Sequence, residues 1–227
     1  LKINTKWNVK ELILLLLMAL VFVPIFIELW LHRFLLQAFG NTLYAGTMTG
    51  LTMSIIFTLS VYLIALKPHQ LGWKEVGLRS FSKSYWKWIP VWTVLLIVSS
   101  ILLLIVMDIF GIGVDNSKTE SLKEQVTWFT FLIAFFSAAI ISPIYEEIFY
   151  RGFLYKWIRC RWGVGAGLVV SSLIFTVVHI PTYNTLPVNF ISGMIFAWTY
   201  GKSGSIVPGI IIHGVFNGLA VVLTVGG

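Results

Sequence analysis

Apolar residues fill this chain in long unbroken runs, separated by shorter polar stretches. Seven runs stand out, at about 11–31, 44–66, 88–110, 127–150, 164–180, 187–201 and 205–225. Each approaches the ~20 residues a helix needs to cross a bilayer, the sixth being short. Their length, and the lack of ten-residue alternation, favour helices over barrel strands. The pattern predicts an all-α, polytopic transmembrane bundle of seven spans, with an eighth left open, as a single membrane domain over 1–227. Three spans and their loops occupy 1–110. The chemistry-bearing residues fall within 127–220.

Composition agrees. The chain is 58% hydrophobic and 11% charged, with mean hydropathy +0.89, whereas about 25% of an average soluble chain is charged. An ordinary soluble domain is excluded. The net charge of +7 is first an orientation signal in this class, not a nucleic-acid signal. Lys2, Lys6 and Lys10 precede the first run, as in an uncleaved signal anchor. The second loop carries Lys67, Lys74, Arg79, Lys83 and Lys87, the fourth Arg151, Lys156, Arg159 and Arg161, and the sixth Lys202. The alternate loops hold only Arg33, Lys118 and Lys123, and the third is acidic, with Asp115, Glu120 and Glu124. This alternation places the N-terminus in the cytoplasm and the C-terminus outside. The segment 67–88 mixes bases with Trp73, Tyr85, Trp86 and Trp88, which suits the headgroup layer. The one cysteine, Cys160, lies in a basic loop; it excludes an internal disulfide and a multi-cysteine metal site.

Against this apolar background, Pro143-Ile144-Tyr145-Glu146-Glu147-Ile148-Phe149-Tyr150-Arg151 is the exception. Ionisable groups at membrane depth are costly and mark function by default. On a helix, Glu147 and Arg151 are four apart and pair, while Glu146 points about 100° away. Two of the four histidines, His179 and His213, also fall inside spans; His213 has Asn217 one turn on, and His179 has Phe175 one turn before. The turn at 161–164 lies midway between Glu146 and His179. Antiparallel helices leaving it would bring these two to the same depth, roughly 25 Å from the turn. Pro143 would kink the helix just before the glutamates. Gly193, Ala197 and Gly201 share one helix face, and Gly214 and Gly218 another, as in tightly packed membrane helices. A carboxylate facing an imidazole polarises water, and a second imidazole with an amide can bind an oxyanion, so the constellation is hydrolytic.

The three pieces Glu146-Glu147-x-x-x-Arg151, Phe175-x-x-x-His179 and His213-x-x-x-Asn217 resemble the motifs of the CAAX protease and bacteriocin-processing family (CPBP, or Abi). The resemblance covers about 127–220. It implies an intramembrane, metal-independent glutamic endopeptidase acting on a membrane-associated peptide or protein, with no cofactor. In that pattern Glu146 is the general base on water and His179 assists. His213 and Asn217 form the oxyanion hole; Glu147, Arg151 and Phe175 support the site. Short loops fit a bacterial plasma-membrane member whose site opens toward the cytoplasmic half. A zinc protease using Glu146, His179 and His213 is a rival reading, although no H-E-x-x-H occurs. A non-proteolytic scaffold or immunity protein is the other. The Ser203–His213 spacing, ~15 Å along one helix, is too long for a serine dyad.

Overall fold

The computed structural model describes residues 5–113 and 127–226; the acidic third loop with Asp115, Glu120 and Glu124 lies outside the described residues. Among the described residues all regular structure is helical. The helices are α1 (Val9–Phe39), α2 (Thr42–His69), α3 (Trp88–Ile109), α4 (128–162), α5 (164–177), α6 (Leu186–Ser203) and α7 (Val207–Gly226). Side-chain oxygens secure several starts: Asn41 accepts the Tyr44 N–H at 2.9 Å, and Thr127 accepts that of Thr130 at 3.1 Å.

α4 and α5 belong to one 50-residue helical run, Trp128–Val177. Gly163 breaks it, with φ 86° and ψ 177°, a conformation that suits a residue without Cβ. The chain then folds back: the rings of Tyr150 and Phe175, nearly equidistant in sequence from Gly163, lie 5.1 Å apart. Glu146 lies one further turn along α4, and His179 lies in the turn that follows α5.

Among the described residues five helical runs are long and apolar enough to cross a membrane: Val9–Phe39, Thr42–His69, Lys83–Ile109, Trp128–Val177 and Val207–Gly226. The sequence pattern counts seven because the fourth run contains two rods, and because α6 is counted although it is less apolar. The polarity of α6 has a physical reason. Ser192, Gly193, Phe196, Ala197, Thr199 and Tyr200 are all buried; a helix surrounded by protein has less need of an oily face. α1 also runs on through Arg33, which the pattern assigns to a loop.

Four chain segments meet at one end of the bundle. Trp7 is fully buried and donates its indole N–H to Ala65 O at 2.7 Å, while Trp157 donates to Asn8 O at 2.9 Å. Lys156 pairs with the Glu75 carboxylate and donates to Glu75 O at 2.7 Å. Arg79 donates to Gly204 O at 2.7 Å, and the Ile206 N–H to Gly77 O at 2.9 Å. Segment 67–88 therefore does not simply lie in a headgroup layer. Val76 is fully buried, and a Cβ on Gly152 would stand 2.4 Å from Val76 O. Its distal part, with Trp86 and Trp88 exposed, keeps a surface position, as do Lys67, Gln70, Lys74 and Leu78 nearer its start. The mixed composition suits either place; paired backbone groups decide it. At the other end, Asn184 donates to Gly113 O at 3.3 Å.

Candidate active site

The site begins with Pro143. Lacking an N–H, it returns no hydrogen bond to the carbonyls one turn back, at Ala138 and Ala139. The flanking stretches Ser137–Ile141 and Glu147–Tyr155 are wound more openly than an α-helix, a feature often found at functional sites. α7 fills the gap. Asn217 Nδ2 donates to Ala138 O at 3.2 Å. Gly214 lets the two backbones close: an added Cβ would stand 2.3 Å from Ala139 O.

One turn further on, Glu146 and Glu147 are both buried, Glu147 completely. Glu147 Oε1 lies 2.9 Å from Arg151 Nη1 and 3.3 Å from His213 Nδ1. The other nitrogen of His213, Nε2, faces Glu146 Oε2 at 3.8 Å, an ion-pair distance too long for a good hydrogen bond. The imidazole thus bridges the two carboxylates. Glu146 Oε1 accepts a hydrogen bond from Ser142 Oγ. Gly209 backs Glu147, since a Cβ there would stand 3.0 Å from Oε2.

Aromatic rings hold the charged groups. The Arg151 guanidinium lies 4.2 Å from the Phe175 ring centre and 4.9 Å from that of Phe196, so two π faces flank a desolvated cation. Phe196 also stacks on His213 at 4.6 Å and 20°. Phe175 meets His179 edge-on at 4.8 Å and His213 at 6.2 Å. His179 sits in the turn after α5. There the His179 N–H bonds Thr176 O at 3.0 Å, and His179 Nδ1 lies 2.7 Å from Phe175 O. A carbonyl can only accept, so Nδ1 carries the proton, and a neutral ring then has its lone pair on Nε2.

The structure therefore brings Glu146, Glu147, Arg151, Phe175 and His213 into one contact cluster, and adds His179 through Phe175. Asn217 is one turn beyond His213, with Nδ2 engaged by Ala138 O. Sequence reasoning brought His213 to the level of Glu146 and His179 but did not foresee its contact with Glu147. It also missed Ser142, Phe196 and Gly209. Ser142 could have been found, being four residues before Glu146; Phe196 looks like any lipid-facing aromatic. Among the described residues no three His, Cys, Asp or Glu side chains converge to hold a metal ion.

Fold and site together define a membrane-type helical bundle with a carboxylate–imidazole cluster in its interior. Residues 128–219, less than half of the chain but containing all three motifs, match the family model described as Type II CAAX prenyl endopeptidase Rce1-like. That stretch is thus similar to the CAAX prenyl endopeptidases, the same family that the three motifs resemble. Among curated proteins, UPF0177 protein YbdI of Lactococcus lactis subsp. lactis (strain IL1403) is 26% identical over 110 residues, which is 46% of this chain and 55% of that protein. The chain thus matches about half the length of that relative. No solved structure matches.

Proposed function

We propose that the protein is an intramembrane endopeptidase that hydrolyses a peptide bond in a membrane-associated peptide or protein, without a metal. The observation that carries this reading is the unequal treatment of two adjacent buried carboxylates. Glu147 is engaged by Arg151 and His213, whereas Glu146 keeps Oε2 turned toward His213 Nε2 at 3.8 Å. In this reading Glu146 takes a proton from the attacking water, and His179 assists through Nε2. With Nδ1–H given to the Glu147 carboxylate, His213 in its doubly protonated form presents Nε2–H to the developing oxyanion, and the second amide hydrogen of Asn217 adds to it. Arg151 fixes Glu147 in place. The seven rods span the membrane with the N-terminus and the basic end in the cytoplasm, in a bacterial plasma membrane, and the site opens toward that half.

Purified wild type, Glu146→Gln and His179→Ala are compared on a panel of prenylated and unprenylated membrane-associated peptides. Cleavage by wild type, falling about 10²–10⁴-fold in Glu146→Gln and unaffected by chelators, is the expected result. Full activity in Glu146→Gln would refute the assigned base. Loss to EDTA with recovery on added zinc would replace the metal-free mechanism, and no cleavage of any peptide would favour a scaffold.

A further inference from the structure

We infer that Ser142 is a positioning residue for Glu146; this rests on the reading of Glu146 as the base. Ser142 lies one turn before Glu146 on the same face of α4, and its Oγ donates to Glu146 Oε1. A serine inside a helix ordinarily turns its hydroxyl to the carbonyl four residues back. Here that carbonyl is Ala138 O, and Asn217 Nδ2 already donates to it at 3.2 Å. Thr176, on α5, shows the ordinary habit, donating to Ser172 O at 2.7 Å. The Ser142 hydroxyl departs from that habit and turns forward to the carboxylate, a stronger acceptor than a carbonyl. The Tyr145 hydroxyl, 3.5 Å from Ser142 Oγ, closes the other side.

The two carboxylate oxygens thereby acquire different work. Oε1 is pinned from within α4, and Oε2 faces His213. Pinning one oxygen removes rotation about the last side-chain bond and leaves the other aimed at the reacting water.

Wild type, Ser142→Ala, Ser142→Thr and Glu146→Gln are prepared in lipid nanodiscs. The infrared carboxylate stretch missing from Glu146→Gln identifies Glu146. That band shifts in Ser142→Ala and returns in Ser142→Thr, which keeps the hydroxyl. On a peptide cut by wild type, kcat falls about tenfold in Ser142→Ala with KM unchanged, the worth of one hydrogen bond to a charged group, and Ser142→Thr restores it. An unshifted band in Ser142→Ala overturns the inference, whatever happens to the rate. A shifted band with unchanged kcat overturns the positioning role. If wild type cuts nothing, the peptidase reading fails, while the band still decides whether Ser142 holds Glu146.

Discussion

Arg151 is the residue on which the buried charges depend. It has 1% exposure and neutralises Glu147, which has none. Removing one partner of such a pair leaves an uncompensated charge in a dry site, at a cost of about 3–5 kcal/mol. Arg151→Met is therefore expected to lower the unfolding temperature in detergent sharply. Adding Glu147→Gln to it should recover much of the loss; a double variant no more stable than Arg151→Met would contradict the pairing. The i, i+4 relation made this pair legible in the sequence, as the nearly equal distances from the 161–164 turn made the meeting of Tyr150 and Phe175 legible. The bridging by His213 was not. Depth along a helix follows from residue count, but the rotation that aims one helix's side chain at another depends on contacts far apart in the chain. For the same reason the flanking of Arg151 by Phe196 could not be read from an aromatic in an apolar run.

Helix contact explains the glycines of α7. Gly214 and Gly218 face α4, where added Cβ atoms would stand 2.3 Å from Ala139 O and 3.0 Å from the Phe135 ring. The small-residue stripe announced close packing, although not which helix receives it. Because backbone yields less readily than a side-chain tip, Gly214→Ala is expected to cost about 1–3 kcal/mol. It should also push α7 away from α4, carrying His213 and Asn217 with it. Gly46 in α2 has nothing within 4 Å of its Cβ position, so Gly46→Ala serves as the control and should be neutral or gain up to about 1 kcal/mol. Thermal unfolding and cleavage rate measured side by side check both; equal behaviour of the two variants would rule out the contact. The α4–α5 reversal at Gly163 was placed correctly by its basic, glycine-containing sequence. The open winding around Pro143 was not, since proline signals only that a kink occurs and not how neighbouring carbonyls are satisfied.

For the whole molecule, the basic segments gather at one end, as alternation of Lys and Arg along the chain requires of seven consecutive rods. In a Cys160→Ser background, Ser203→Cys should be labelled by a membrane-impermeant thiol reagent only from the cytoplasmic side, and Tyr183→Cys only from outside. Labelling of both from one side would break the proposed topology. The segment 67–88 was the least legible part, because bases and aromatics describe a headgroup layer and a packed cap equally well. Its Val76, at 0% exposure, is instead part of the same buried cluster as Trp7, Phe149 and Ile206. That has a consequence for how the protein can be divided. The stretch that matches the family model, 128–219, has no finished surface of its own where Trp7, Phe57 and Val76 enter it. Produced alone, it would expose those cavities and be cleared as a misfolded fragment. Produced as two separate polypeptides cut within 114–126, the halves should find each other in the membrane and co-purify, held by Trp157 to Asn8, Lys156 to Glu75 and Ile206 to Gly77. The carboxylate–imidazole chemistry is portable only together with the plain helices that precede it.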